Sequence, residues 1–393
     1  MENHLEIEWP GLAVTAVVLL VTILLHTIRR ANLSCTSSLP PGYKRIGLAP
    51  SQSNIRDEYD PSSHHPGGEC RIKALFTYPI KSCAGIELDV ANVVPEGIEY
   101  DRMFCFAEKV DDNRPWEART LRNGRFSRLA LVRCEIWRRL NDDGIMIISY
   151  PRPSSSMAAK LGMMLGLIPS ECSFQVPLSP PPTETPTTSV KIWKDEPLSY
   201  DYARYIPSSF FDFIYYTTSP TSNNNNNHTR RLTLLRKNHD RRIFRNAPRK
   251  EELGFQPVTG FADAYPLHLV NLASVHDVAR RCEAAIPRLS VRRFRANLIV
   301  TGPRAFDEDD WTCICIGGQQ TDEKGVIIHT VAHTVRCRLP NVDPDTGIRH
   351  PAEPDRTMRS YRCIDPGESR YACLGMQLVP AQRGMPNGLD GGL

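Results

Sequence analysis

One cysteine in this chain lies in a sequence setting that favours its thiolate form. Cys337 ends an apolar run and stands between Arg336 and Arg338, whose positive charges favour ionisation of the neighbouring thiol. The turn sequence 343–347 (Asp-Pro-Asp-Thr-Gly) follows closely. A thiolate at the end of a strand is suited to act as a soft metal ligand or a nucleophile. Because an isolated cysteine is more often a small buried hydrophobic residue, the functional interpretation depends on the rest of the chain.

A second set of candidate residues consists of polar side chains beside predicted strands. Lys81 and Ser82 follow a short strand, where an ammonium and a hydroxyl form a small anion-binding pair. Arg102 opens another strand and would add a second cation. Arg295 and Asn297 precede a further apolar strand, where a buried arginine would need an anionic partner such as a phosphate or a cofactor. The alternative for each group is a solvated basic surface.

The composition excludes several classes of protein. The chain has 393 residues, enough for two domains, and a formal net charge of +4 with both signs interspersed, which argues against nucleic-acid binding. Its 12 cysteines have no regular spacing, so a disulfide framework is not expected. The sequence lacks H-E-x-x-H, a phosphate-binding glycine loop and a dinucleotide fingerprint. Zinc-hydrolase, nucleoside-triphosphatase and Rossmann functions therefore have no support.

Short strands at close spacing predict a β-rich α+β fold built from β-barrels with few helices. Strands are expected near 71–77, 86–94, 102–107, 129–137, 144–150, 190–193, 232–235, 267–270, 298–301, 312–316, 325–330 and 334–339. A helix is possible over 202–213, and an amphipathic helix is expected over 274–284 with Ser274 as its N-cap. A proline-rich loop at 179–188 and an asparagine-rich run at 219–228 are interpreted as exposed insertions.

The N-terminal region predicts membrane attachment. Residues 9–28 carry no formal charge and are long enough for one transmembrane helix. Acidic residues precede this run, and Arg29 and Arg30 follow it, which places the C-terminal body on the cytosolic side. A cleaved secretory signal is the alternative, but the acidic start argues against it. Residues 31–69, which are rich in Ser, Pro and Gly, are interpreted as a flexible tether after an anchor at 1–30.

The order of several motifs resembles the MOSC-domain molybdenum proteins, most closely the mitochondrial amidoxime-reducing component family, in a fungal-like variant. The resemblance covers about Ile72 to Pro380 and rests on these segments: 78–83 (YPIKSC), 190–193 (VKIW), 261–267 (FADAYPL), 293–297 (RFRAN), 336–347, 358–362 (MRSYR) and 374–375 (LG). The chain departs from the family pattern at 271–274, at Ala264 in place of a glycine, and at Pro340-Asn341 in place of two threonines.

The resemblance implies a two-domain body and a cofactor site. The body would comprise a MOSC N-terminal β-barrel domain over 70–215 and a MOSC β-barrel domain with flanking helices over 230–385. The cofactor would be a molybdenum ion bound to molybdopterin, with the Cys337 thiolate as metal ligand and catalytic group. The cofactor-binding residues carried over are Lys81, Ser82, Arg102, Asn271, Ser274, Arg295, Asn297 and Arg336.

The resemblance also implies an activity, partners and a location. The activity is removal of the oxygen atom from small N-hydroxylated substrates such as amidoximes and hydroxylamines, with electrons from NADH through cytochrome b5 reductase and cytochrome b5. The mitochondrial outer membrane is the expected location, with the endoplasmic reticulum as the alternative.

Two other functions stay open on the sequence alone. One is a molybdenum-cofactor sulfur carrier or sulfurase, although those proteins carry a pyridoxal-phosphate domain ahead of the MOSC region, where only an anchor and tether are expected here. The other is a non-catalytic, membrane-tethered MOSC binding module.

Overall fold

The structure is a computed structural model that describes residues 14–16, 18–23, 42–60, 67–111, 113–139, 144–154, 156–181, 185–215, 231–243, 253–317 and 325–381. Its strands are β1 (Lys44–Arg45), β2 (Arg71–Thr77), β3 (Ile86–Leu88), β4 (Val93–Val94), β5 (Gly97–Ile98), β6 (Phe104–Lys109), β7 (Trp116–Ala118), β8 (Arg133–Arg138), β9 (Ile145–Pro151), β10 (Glu171–Pro177), β11 (Thr187–Lys191), β12 (Leu198–Asp201), β13 (Arg231–Lys237), β14 (Arg241–Arg242), β15 (Val258–Thr259), β16 (Leu267–Asn271), β17 (Leu298–Thr301), β18 (Cys313–Ile316), β19 (Val326–Val335) and β20 (Cys373–Pro380). Its α-helices are α1 (Met157–Met164), α2 (Ser208–Tyr215), α3 (Leu272–Cys282) and α4 (Asp355–Arg359).

Five strands close into a barrel in the order β11-β12-β13-β6-β7. One face of β6 carries Cys105 and Ala107, which pack with Val190 and Leu235 from other barrel strands and therefore fill the barrel interior. Because side chains alternate along a strand, the neighbouring phenylalanines of β6 lie on the opposite face, in the larger core outside the barrel. These strands confirm the predicted β-rich fold with a closed barrel.

A seven-stranded sheet in the order β18-β19-β20-β16-β17-β2-β3 forms the second large element. Strands β16 and β17 are parallel, and α3 connects them as a crossover helix that packs against the sheet. The ends of β2, β16 and β19 and the turn before β17 reach one region of this sheet. That region contains most of the candidate residues.

Strand pairing crosses the predicted boundary between the two domains in both directions. Strand β2, from the N-terminal part of the chain, pairs with β17. Strand β13, from the C-terminal part, pairs with β6 and helps to close the barrel. The ranges 70–215 and 230–385 are therefore a division of the sequence, whereas the described chain interweaves the two parts through its sheets.

Several predicted elements have different bounds. Helix α3 begins at Leu272, with Asn271 as its N-cap, because the Asn271 side chain accepts a hydrogen bond from the Ala273 amide. The prediction of Ser274 as the cap is therefore wrong. Residues 124–131 form a 3-10 helix instead of the start of the strand expected at 129–137. The other 3-10 helices are Pro50–Gln52, Ala203–Tyr205, Val291–Phe294, Asp307–Asp310 and Leu339–Asn341.

The predicted membrane-spanning run at 9–28 lies largely outside the described residues. Residues 14–16 and 18–23 within it are helical. Among the residues that the structure describes, no helix has both the length and the apolar character needed to cross a bilayer.

Helix α2 is held by an aromatic cluster that supplies a test of the core. The Phe210 ring lies 4.8 Å from the Phe106 ring and 4.9 Å from the Tyr150 ring, measured between centroids, and it is fully buried. We expect Phe210→Ala to lower the free energy of unfolding by about 3–5 kcal/mol, because it leaves a cavity among these rings.

Urea denaturation of the full chain would measure this loss. Phe211→Ala, at a half-buried position of the same helix, is the matched control and should cost about 1–2 kcal/mol. Equal losses for the two variants would contradict the packing described for α2.

Candidate functional site

Cys337 lies half-buried in the wall of a cavity of about 170 Å³. Four cationic side chains line the same cavity, namely Lys81, Arg102, Arg295 and Arg336, together with Ser82 and Asn297. The predicted cations and the thiol are thus brought together from turns after β2, before β6, before β17 and after β19. The only carboxylate among the residues that line this cavity in the described chain belongs to Asp263.

Three residues of the cavity wall have a left-handed backbone conformation that side chains seldom adopt. The φ angles are 71° at Ser82, 47° at Arg102 and 56° at Arg295. Each such residue costs of order 1–3 kcal/mol, which the surrounding structure must offset. The amide of Arg102 donates to the Tyr78 carbonyl at 2.7 Å, and the amide of Arg295 donates to the Arg292 carbonyl at 3.2 Å. These tight turns place both guanidinium groups at the cavity.

Lys81 is buried and forms an ion pair at the mouth of the cavity. Its ammonium donates to Asp263 Oδ1 at 2.5 Å and to the Phe261 carbonyl at 2.9 Å. Burial lowers the pKa of Lys81, and the carboxylate opposes this shift. Loss of water raises the pKa of Asp263, but Lys81 and the indole N–H of Trp193 outweigh it and hold this pKa at about 2. Asp263 is therefore ionised at neutral pH.

Arg102 is held by a buried polar network. Its Nη1 donates to Asp101 Oδ2 at 2.5 Å and to Asn297 Oδ1 at 3.0 Å, and its Nη2 donates to the Arg295 carbonyl at 3.1 Å. Asn297 also donates to Asp101 Oδ1 at 3.0 Å and to the Phe76 carbonyl at 3.1 Å. Because its amide is already engaged in these bonds, Asn297 acts by positioning Arg102.

Arg295 is a partly buried cation with incomplete hydrogen bonding. Its Nη1 donates to the Cys83 carbonyl at 2.5 Å, and its guanidinium lies 4.4 Å from the centre of the Tyr78 ring. Its Nη2 is buried and has no partner in the described chain. Burial lowers the pKa of Arg295 from its usual value. An anion at this position would satisfy the free nitrogen.

Arg336 and His268 lie side by side behind the thiol. Arg336 Nη2 donates to the Phe294 carbonyl at 2.9 Å, and its Nη1 lies 3.4 Å from His268 Nε2. Burial lowers the pKa of Arg336 to about 10, and the charge of Cys337 opposes this shift, so Arg336 stays cationic at neutral pH. Burial and the adjacent arginine lower the pKa of His268 well below its usual value, which keeps the imidazole neutral.

The two arginines that flank Cys337 differ in their surroundings. Arg336 is buried beside the thiol, whereas Arg338 is largely exposed and lies 3.3 Å from the carboxylate of Asp355. Arg336 is therefore the flanking cation that belongs to the cavity wall. No group of three His, Cys, Asp or Glu side chains in the described ranges is arranged to hold a metal ion.

Asn271 and Ser274 do not reach this cavity, which corrects their predicted role. Asn271 Nδ2 donates to Glu308 Oε2 at 3.1 Å and to the Arg304 carbonyl at 2.8 Å. Ser274 Oγ donates to Glu308 Oε1 at 2.7 Å and accepts from the Phe306 amide at 2.8 Å. Both side chains therefore satisfy a buried carboxylate and stabilise the start of α3.

The two residues after Cys337 that depart from the family pattern, Pro340 and Asn341, occupy different surroundings. Pro340 lines the cavity, but Asn341 is fully buried outside it. The Asn341 amide donates to the His350 carbonyl at 3.2 Å and accepts from the Asp355 amide at 3.2 Å, so it joins two loops. Ala264 lies at the exposed mouth of the cavity beside Asp263.

Asp263, His268 and Thr334 are among the residues of the cavity wall that sequence reasoning missed. Asp263 had a detectable signal, since it lies in the segment 261–267 that carried part of the resemblance. His268 and Thr334 had none, because each occupies an ordinary strand position. Thr334 Oγ1 and Arg336 Nε are buried without partners in the described chain, as Arg295 Nη2 is.

The fold and the site agree with comparisons to known protein families. Residues 69–196 match the MOSC N-terminal beta barrel domain, and residues 256–371 match the MOSC domain. The first match includes β6, β7 and β11 of the closed barrel, and the second includes Cys337 and the sheet strands β16 to β19. The chain belongs to the MOSC-domain family, which confirms the resemblance seen in its motifs.

Among named relatives, the chain is similar to mitochondrial amidoxime-reducing components. It is 38% identical over 106 residues to component 2 of Rattus norvegicus, which is 27% of this chain and 28% of that protein. It is 37% identical over 108 residues to component 2 of Homo sapiens, covering 28% of this chain and 29% of that protein. It is 34% identical over 125 residues to component 1 of Danio rerio, covering 32% of this chain and 35% of that protein. The chain therefore aligns with about a third or less of the length of these relatives.

The neutral His268 predicts a specific pH dependence of stability. Its pKa in the folded state is below its usual value, so the unfolded chain binds more protons as the pH falls below about 6.5. The stabilisation from neutral His268 is therefore complete above that pH and is lost below it. We expect the stability advantage of the wild type over His268→Gln to shrink by roughly 1 kcal/mol between pH 7.5 and pH 5.5.

Chemical denaturation at pH 7.5, 6.5 and 5.5 would measure this difference. His239→Gln, at an exposed histidine, serves as the control and should follow the wild type at each pH. Parallel pH profiles for the wild type and His268→Gln would show that His268 is not held neutral.

Proposed function

We propose that this protein is a molybdenum-cofactor-dependent reductase of small N-hydroxylated substrates. The observation that carries the proposal is the convergence of four cationic side chains and one thiol on a single cavity. The similarity to proteins named as amidoxime-reducing components supports the reaction class.

The residues of the cavity fit an anionic cofactor with a soft metal centre. Lys81 and Arg102 have carboxylate partners, but Arg295 and Arg336 have none in the described chain. The buried unpartnered atoms at Arg295, Arg336 and Thr334 have hydrogen-bonding capacity that phosphate or pterin oxygens would use. The cavity volume of about 170 Å³ is below the roughly 300–1,000 Å³ of whole-ligand pockets, so only part of such a cofactor would lie inside it.

Each residue has a defined part in this proposal. Lys81, Ser82, Arg102, Arg295 and Arg336 would hold the anionic parts of the cofactor, and Asn297 would fix Arg102. Cys337 would provide the protein ligand of the molybdenum, since a thiolate is a soft ligand. The bound molybdenum cofactor would supply two-electron redox chemistry. Reduction of an amidoxime then consumes two electrons and two protons and yields an amidine and water.

The protonation states of two residues that line the cavity limit where those protons can come from. His268 is neutral at physiological pH because its pKa is lowered, and Asp263 is ionised because its pKa is about 2. Neither group carries a proton that it can donate near neutrality. Both therefore serve as fixed surroundings, with Asp263 holding Lys81 in place.

The electron donors and the location are part of the same proposal. NADH-cytochrome b5 reductase and cytochrome b5 would deliver the electrons, and the apolar residues 9–28 would anchor the protein in the mitochondrial outer membrane, with the endoplasmic reticulum as the alternative. A shared membrane raises the effective concentration of an anchored donor. The two MOSC-type domains would span 70–215 and 230–385 of the sequence.

The metal assignment predicts the outcome of one substitution. We expect the full-length chain, purified from cells that make the molybdenum cofactor, to contain about one molybdenum per chain. Cys337→Ser should retain at most a tenth of the metal and should lose reduction of an aryl amidoxime. Elemental analysis and product detection with a chemical reductant would measure both.

Cys315→Ser, which removes an exposed thiol outside this cavity, is the matched control and should leave metal content and activity unchanged. Equal metal content in the wild type and Cys337→Ser would reject Cys337 as ligand. A molybdenum-free wild type that carries a persulfide on Cys337 would instead favour a sulfur carrier.

A further inference from the structure

A larger cavity of about 630 Å³ borders Arg295 as well. One wall is formed by residues 45–59, and the other by residues near the ends of β2, β3 and β8 together with the turn at 292–295. Of the residues that line the cavity around Cys337, Arg295 is the one that the two cavities share.

The outer wall of this larger cavity is a feature of this chain. Residues 45–59 precede residue 69, where the match to the MOSC N-terminal beta barrel domain begins. This segment is held firmly in place: Leu48 donates its amide to the Glu87 carbonyl at 2.8 Å, and Glu58 accepts from the Val291 amide at 2.7 Å. The cavity is therefore built from the family body and an additional segment.

Charged residues of both signs line the cavity. Six arginines and four glutamates line it. Each glutamate is already engaged: Glu58 with Ser290 and Val291, Glu87 with Ser53 and Asn54, Glu135 with Arg45, and Glu171 with Arg133. Arg292 and Arg293 pair with Asp345 and Asp343, whereas Arg56 and Arg295 have no carboxylate partner among the described residues.

The unused hydrogen-bonding capacity also consists of donors. Arg45 Nε, Arg293 Nε and Arg295 Nη2 are buried without partners in the described chain, and all three arginines line this cavity. Arg293 is only 6% exposed. Buried N–H groups of this kind are costly unless an acceptor reaches them. An acceptor-rich, negatively charged ligand would meet that need.

The neighbouring parts of the chain that lie outside the described residues cannot supply such a charge. Residues 24–41 and 61–66, which flank the outer wall in sequence, contain no Asp or Glu.

The remaining wall is apolar and favours an organic ligand. Phe76, Tyr78, Ile86, Leu121 and Val342 line it. A volume of about 630 Å³ falls within the roughly 300–1,000 Å³ typical of pockets for organic molecules. Aromatic and aliphatic surface beside guanidinium donors suits a ligand with one anionic group and an apolar body.

We propose that this larger cavity is a second ligand site, which binds a small organic anion, either a carboxylate or a phosphate monoester, with Arg295 as its inner anchor and Arg56 at its rim. Binding at this site needs no cofactor, although the site shares Arg295 with the cavity around Cys337. Because Arg295 borders both cavities, a bound anion would be coupled to the cavity around Cys337.

Titration calorimetry on the full chain would test this site with four probes. Benzoate and phenyl phosphate carry the two anionic groups, benzamide is the neutral analogue, and inorganic phosphate lacks the apolar body. We expect at least one of the two aryl anions to bind at least tenfold more tightly than benzamide and than inorganic phosphate. The proposal is overturned if neither benzoate nor phenyl phosphate binds more tightly than both benzamide and inorganic phosphate.

Three variants locate the binding. Arg56→Gln, at an exposed position, should weaken binding of the aryl anion at least threefold and leave the affinity for benzamide unchanged. Ala84→Phe, which fills the cavity from its wall, should abolish binding of both the aryl anion and benzamide. Lys81→Gln, in the cavity around Cys337, should leave the affinity for the aryl anion unchanged. Loss of binding in Lys81→Gln with retention in Arg56→Gln would place the anion beside Cys337 and overturn the proposal, even if Ala84→Phe failed to fold.

Discussion

The burial of positive charge around Cys337 is the constraint on which the architecture of the site depends. Lys81 and Arg102 are compensated by adjacent carboxylates at 2.5 Å. Arg336 is buried and Arg295 is partly buried, and their partners in the described chain are carbonyl oxygens, an imidazole and aromatic rings. Removing a guanidinium from water without an opposite charge costs several kcal/mol. An anion that binds the folded chain recovers part of that cost and thereby stabilises the fold.

Such a site requires a backbone that brings together turns that are distant along the chain. The sheet and the barrel meet at the cavity around Cys337, where these turns converge. The bridge between Ile80 and Phe104 joins the end of β2, in the seven-stranded sheet, to the start of β6, in the barrel. The Lys81 amide donates to the Phe104 carbonyl at 2.8 Å, and the Phe261 amide donates to the Arg102 carbonyl at 2.8 Å. Side chains from both elements therefore point at one cavity, which neither would form alone.

The sequence predicted the parts of the site that lie in short motifs, and it failed where partners are distant along the chain. Lys81, Arg102, Arg295 and Cys337 were each found from residue type and position beside a strand, and the structure brings them together. Asn271 was predicted as a cofactor ligand, but its amide bonds to Glu308, 37 residues later. No local pattern reveals such a pairing.

The fold shows the same division between local and distant information. Alternating apolar residues identified most strands, because one buried face imposes a period of two. The order of strands in the sheets was not predictable in the same way, since β2 pairs with β17 and β13 pairs with β6 across more than a hundred residues. Hydrogen bonds of the backbone are the same for any partner, so burial and closure of the barrel decide the pairing.

Arg295 connects the site around Cys337 with the larger cavity, and its geometry sets the sign of any coupling. One nitrogen is held by the Cys83 carbonyl, and the other is free. Because the proposed cofactor would use the same free nitrogen, a ligand that occupies this nitrogen from the larger cavity would compete with the cofactor. A ligand that drew the guanidinium away from Cys83 would disfavour that cofactor. Because coupling is reciprocal, the cofactor would change the affinity of the larger cavity by the same factor.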